Sequence, residues 1–165
     1  MPQVDFSLNL RADRLKIPIR DMFFVVLQFI LFVAYAFEIN SMRVLFPELL
    51  FWIGVGMLFF GGLISVVAVL QLNIHLSPFP SPLPGSKLIQ TGVFKYVRHP
   101  IYSGIVLAFF GFALIADSGY KLLIALFLLI LFYFKSQYEE LRLMELFPEY
   151  ENYKLKSGRF LPKFW

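Results

Sequence analysis

Charge-free apolar runs divide the chain into four blocks. Met22 to Phe37 is a run of sixteen residues, Leu49 to Ile74 one of twenty-six, and Ile101 to Ala116 and Tyr120 to Phe134 follow. About 20 apolar residues in a helix cross the hydrocarbon core of a bilayer. The second run therefore crosses with room to tilt, and the first reaches the headgroups through Asp21 and Glu38. The pattern predicts an all-α integral membrane protein of about four transmembrane helices, near 22–37, 49–74, 101–116 and 120–134. Asp117, Ser118 and Gly119 leave room only for a tight turn, so the last two helices form a hairpin. Gly54, Gly56, Gly61 and Gly62 of the second run, and Gly104, Ala108 and Gly111 sharing one face of the third, predict close helix packing in lipid. The Gly54-x-Gly56 spacing is no dinucleotide fingerprint, because no strand precedes it and no soluble helix follows.

Composition agrees with this class: 59% of residues are hydrophobic, 19% aromatic and 16% charged, and the mean hydropathy is +0.72. Too little polar surface remains to cover a soluble core, so one membrane domain over 1–165 is expected. The chain has no cysteine, which excludes disulfides and thiolate chemistry, and two histidines, His75 and His99, cannot close a zinc site. No metal is expected. Residues 1 to 21 are polar, with Arg11, Arg14, Lys16 and Arg20 against Asp5, Asp13 and Asp21 and with Pro18 before the apolar run. They read as an interfacial arm rather than a secretory signal, leaving insertion to the first span.

Cation placement sets the expected topology. The N-terminal arm holds four Lys or Arg, residues 75 to 99 three and the segment from Lys135 onward six, thirteen of the fifteen in the chain. Only Arg43 and Lys121 fall on the other side of a four-span arrangement, so both termini are expected in the cytoplasm.

Two stretches concentrate chemistry at that boundary. Thr91 to Tyr102, TGVFKYVRHPIY, combines a glycine, aromatics, cations, His99 and Pro100. Before it, Pro78, Pro80, Pro82 and Pro84 block helix and favour a stiff extended path. That path serves as a rigid connector, a lid over a ligand site or a proline-motif docking site. In the tail, Tyr138, Leu141, Met144 and Phe147 recur at helical spacing, so the fourth helix is expected to continue out of the membrane as an amphipathic helix. Pro148 then suits the first turn of a short helix ending near Lys156, with Gly158 as its stop and Phe160, Phe164 and Trp165 at the interface. Lys135 and Glu139 lie one turn apart, as a surface ion pair would or as two site residues would.

GVFKYVRHPIYSG, followed after one helical hairpin by YEELRLMELFPEYENY and RFLP, resembles the isoprenylcysteine carboxyl methyltransferase family and the related phospholipid methyltransferases, over about residues 86 to 162. The resemblance implies an integral membrane enzyme that binds S-adenosylmethionine at a cytoplasmic-side cavity. It implies Leu88, Ile89, Phe94, His99, Pro100, Ile101 and Tyr102 around the cofactor, Glu139 as the carboxylate contact to it, and Lys135 at the methyl acceptor. A fixed sulfonium charge and an adenine ring call for a carboxylate and aromatic faces, which Glu139, Phe94 and Tyr102 supply. His99 either donates to the cofactor or caps the helix it opens. Arg98 is read as a headgroup anchor, and Lys95, Tyr96 and Glu140 as interface or helix support.

One departure concerns Lys135, where the family usually presents an arginine. Lysine supplies the charge without the bidentate fork, so a carboxylate acceptor and an amine acceptor both stay open. The expected partners are the membrane and a lipid or a lipidated small-molecule or peptide acceptor, with no nucleic acid. A sterol-reductase-type enzyme with a nicotinamide cofactor and a non-enzymatic membrane scaffold are the competing classes.

Overall fold

The computed structural model describes residues 18–73, 77–82 and 87–163. The arm through residue 17, His75, Pro84, Phe164 and Trp165 lie outside the described residues. Among the described residues, five α-helices follow in order: α1 (Ile19–Ala36), α2 (Glu48–Leu72), α3 (Pro100–Ile115), α4 (Gly119–Leu146) and α5 (Tyr150–Lys156). The fold is all-α, as the apolar runs require. Three helices, α1, α2 and α4, are long and apolar enough to cross a membrane, while α3 is apolar but shorter. Its 16 residues span about 24 Å, less than a full hydrocarbon core.

α3 is held upright by α2. A Cβ added at Gly61 would lie 2.6 Å from both the Gly104 carbonyl oxygen and the Ala108 nitrogen, and one at Gly54 would lie 2.6 Å from the Gly111 carbonyl oxygen. The two backbones therefore touch along an antiparallel line that only glycine permits. Gly56 and Gly62, expected to share this role, face open space. α1 runs antiparallel along α4, and its Tyr35 hydroxyl donates to the Phe109 carbonyl of α3 at 2.5 Å. Tyr35, Ile124, Leu128 and Phe132 form the buried core between these helices. Large side chains such as Phe29, Trp52 and Leu70 project outward, which is the arrangement expected where lipid rather than water surrounds the helices.

At one end the bundle is tied shut. Asp117, at φ 52, turns the chain between α3 and α4. Its carbonyl accepts from the Val44 N–H at 2.9 Å and its carboxylate from the Phe46 N–H at 3.1 Å. At the opposite end, the start of α1, the end of α2, the start of α3 and the Lys135–Glu140 stretch of α4 converge.

Asp21 is fully buried, and its carboxylate accepts from the Ser81 N–H at 3.0 Å. Two expectations are corrected here. Pro148 lies before α5 rather than in its first turn, while the helix ends at Lys156 as expected, with Ser157 as its cap and Gly158 next. α4 does continue to Leu146, but its inward face carries Lys135, Ser136 and Glu140, leaving Leu141 56% exposed. Phe160 packs against the core cluster.

Candidate functional site

The converging ends enclose a cavity of about 390 Å³. Its floor comes from α3 and α4, its roof from residues 77–82, and one side from α5. Proline explains the roof: these residues have few N–H groups to give a helix, so their polar atoms are claimed by side chains from elsewhere. Asp21 holds the Ser81 N–H, and the Lys135 ammonium donates to the Pro78 carbonyl at 2.8 Å. Residues 77–82 therefore line the cavity, as either a rigid connector or a lid would. Gly92, at φ +58, turns the next segment so that the Val93 N–H donates to Gln71 at 3.1 Å.

Pro100 opens α3 at its first turn, and His99 occupies the N-cap position without a side-chain cap hydrogen bond. The capping role is thus not the one His99 plays. Its ring stacks on Tyr102 at 5.4 Å between centroids, with Nδ1 3.8 Å from Glu139 and Nε2 3.3 Å from Glu140. Tyr102 stacks in turn on Phe132 at 4.6 Å and donates its hydroxyl to Glu139 at 2.9 Å. A carboxylate is thereby fixed at the mouth of an aromatic stack. Its side chain keeps 25% exposure, whereas that of its neighbour Glu140 keeps 2%.

Lys135 and Glu139 do not form the simple surface pair. Lys135 is 1% exposed, donates to Gln28 Oε1 at 2.7 Å as well as to Pro78, and sits 5.4 Å from the centre of the Tyr102 ring. All nine residues expected at the site, Leu88, Ile89, Phe94, His99, Pro100, Ile101, Tyr102, Lys135 and Glu139, line this one cavity.

Glu140 and Arg98 are the larger surprise. Arg98 is no headgroup anchor: its Nε donates to Glu140 at 2.9 Å, and Nη1 donates to the Lys154 carbonyl at 3.1 Å and to that of Ser157. Arg159 reaches the same carboxylate through Nη2 at 3.0 Å, and Lys154 stands 3.8 Å away. Backbone pairing reinforces the hub. The Arg98 N–H donates to the Gly158 carbonyl at 2.9 Å, His99 N–H to Arg159 at 3.1 Å, and Gly158 N–H to Tyr96 at 3.0 Å. The RHP and RF segments are therefore one unit in space, which gives their joint occurrence in the sequence a physical reason. Lys95 stands over the exposed Tyr96 ring at 5.7 Å.

Sequence reasoning missed Tyr150 and Tyr153, which also line the cavity. The Tyr153 hydroxyl donates to the Phe94 carbonyl at 2.5 Å, and burial pushes its pKa up to about 12. Two buried tyrosines three residues apart in FPEYENY were the available signal.

Chemically, the arrangement offers a carboxylate, an aromatic wall, a buried cation and a lid at the end of an apolar bundle. The phospholipid methyltransferase family model matches residues 49–149, running from α2 through the whole of α4 and covering His99, Tyr102, Lys135 and Glu139. No curated protein matches the chain. The reductase and scaffold classes fall away with the family match, since it spans well over half the chain and its members are methyltransferases. This chain belongs to the phospholipid methyltransferase family and is a membrane methyltransferase.

Proposed function

We propose that the chain transfers a methyl group from S-adenosylmethionine to a lipophilic acceptor, in the manner of the isoprenylcysteine carboxyl methyltransferases that residues 86–162 resemble. The observation that carries the reading is the gathering of Glu139, Tyr102, His99 and Phe94 around one cavity. The fit to the cofactor is chemical. A sulfonium needs a negative partner and tolerates aromatic faces, and Tyr102 holds Glu139 in place beside its own ring. Leu88, Ile89, Phe94, Pro100 and Ile101 supply the apolar surface an adenine ring would contact, and His99 supplies a ring nitrogen. When bound, the cofactor offers a methyl group to a nucleophile by direct displacement. The chain's own work is then to align the two partners and keep water out, and the lid over 77–82 serves the second task.

Lys135 is assigned to the acceptor. Gln28 and Pro78 fix its ammonium in position, so it acts as a preset positive charge and favours an acceptor that brings negative charge near the reacting atom. A prenylcysteine-type carboxylate is one such acceptor and needs no base. A phospholipid amine, favoured by the family match, is the second reading, with its phosphate meeting Lys135. The cation imbalance supports a cytoplasmic cavity end, and the reading treats residues 1–165 as one domain whose cofactor half is 86–162.

Paired measurements test the assignment. Lys135→Met should leave S-adenosylmethionine affinity within about twofold while cutting turnover at least tenfold. Lys135→Arg should preserve or raise turnover on lipid acids if a carboxylate is gripped, and not on lipid amines. Loss of cofactor binding in Lys135→Met, with turnover per bound cofactor unchanged, would move the lysine into the cofactor pocket.

A further inference from the structure

Tyr150 opens α5 and is 1% exposed, yet its hydroxyl finds no hydrogen-bond partner among the described residues. Its immediate neighbour sets the contrast. Tyr153, packed edge-on against it at 5.6 Å, spends its hydroxyl on the Phe94 carbonyl. Both rings line the cavity, along with Glu139, His99 and Arg98. Buried polar groups are almost always paired, because an unpaired one forfeits its bonds to water. Three described side chains carry such an orphan atom, and two of them line this cavity: Ser81, in the 77–82 segment, whose N–H Asp21 holds, and Tyr150, on α5.

We propose that the Tyr150 hydroxyl is a binding group for the cofactor, donating a hydrogen bond to an acceptor atom of the ligand seated beside Glu139. The inference rests on the reading of this cavity as the S-adenosylmethionine site and adds a residue to it. The phenol suits the task. Burial, and then the negative charge of Glu140, hold its pKa well above the ordinary tyrosine value, so the hydroxyl keeps its proton and serves as a donor. The two sides of the ligand are then answered differently. Glu139, an acceptor of hydrogen bonds, faces positive charge, and Tyr150 meets an oxygen or nitrogen lone pair of the same molecule. Tyr153 fixes the wall against which Tyr150 stands and contributes no free hydroxyl.

The test uses opposite signs in two readouts. Tyr150→Phe deletes only the orphan oxygen. In the full-length chain purified in detergent, the ligand-free thermal midpoint should hold or rise. Affinity for S-adenosylmethionine and for S-adenosylhomocysteine, titrated by calorimetry, should fall by roughly 5- to 30-fold. Tyr153→Phe should instead lower the ligand-free midpoint, because it leaves the Phe94 carbonyl without its donor. If Tyr150→Phe binds both probes within twofold of wild type, the proposal is overturned while the cavity reading stands. If it lowers the midpoint as much as Tyr153→Phe does, the hydroxyl has an internal partner and the proposal is again overturned. If the folded wild-type protein binds neither probe, the cavity reading falls and takes this inference with it.

Discussion

Helix α4 carries a buried lysine near each end of the bundle, and the two ends treat that charge in opposite ways. Lys121 donates to the carbonyls of Tyr35 at 2.8 Å and Phe37 at 2.9 Å and stands 3.4 Å from Glu38, whose other oxygen accepts from the Ser118 hydroxyl at 2.6 Å. That Ser118 bond, with help from Lys121, holds the Glu38 carboxyl below its ordinary pKa. Every group in the knot is answered by another, and the chain closes there. Lys135 donates to an amide and a carbonyl and, among the described residues, has no carboxylate within 4.0 Å. A neighbouring cavity, an orphan oxygen on Asp21 and another on Ser81 accompany it. Polar contacts are saturated at one end of the bundle and incomplete at the other, where the proposed ligand would complete the set.

The sharpest way to break this comparison lies in two adjacent carboxylates. Glu140→Gln removes the charge that Arg98 and Arg159 share, leaving buried guanidinium unpaired, and should cost about 3 to 5 kcal/mol of stability. Thermal unfolding in detergent checks it; a midpoint within a degree or two of wild type would refute the hub. Glu139→Gln should spare the midpoint but weaken S-adenosylmethionine binding by about 1.5 to 3 kcal/mol. Glu145→Gln, on an exposed pair with Arg142, is the control and should do neither.

At the closed end, Lys121→Met strands two carbonyls and should lower stability by about 1 to 3 kcal/mol. Cofactor affinity of the fraction that folds should be unchanged, and a parallel loss of both would mean that the ends are not independent. The scaffold between them gives an effect of similar size and the smallest one, at two neighbouring glycines. Gly61→Ala forces α2 and α3 apart and should cost about 1 to 3 kcal/mol, whereas Gly62→Ala, facing open space, should be neutral or slightly stabilising. Equal effects at the two glycines, measured by the same unfolding, would deny the close approach.

The helices were legible in the sequence because a bilayer imposes a length and forbids charge, and runs such as Leu49 to Ile74 state both. Glu139, Tyr102 and His99 were legible because site chemistry restricts residue type at short spacing. What stayed hidden depends on distant pairing. Glu140 reads as a helix-surface residue until Arg98, 42 positions earlier, and Arg159, 19 later, are brought to it. Nothing local marks Asp21 as buried until Ser81, 60 positions on, is brought to it. The tail's apolar periodicity misled for a related reason. Tyr138 stacks on Phe24 and Phe147 lines the cavity, but Leu141 is left exposed, because the inward face of this stretch is set by Lys135, Ser136 and Glu140.

The central claim is that the open end of this bundle is an S-adenosylmethionine site serving a lipid acceptor. It is tested most directly by titrating the folded full-length chain, in lipid nanodiscs, with methyl-labelled S-adenosylmethionine and then following the label into a panel of lipid acids and lipid amines. The account predicts saturable binding to wild type and to Lys121→Met, weakened binding to Glu139→Gln, and label recovered in the lipid fraction. A folded wild-type protein that shows no saturable binding, or whose Glu139→Gln variant binds and transfers label as wild type does, would contradict it.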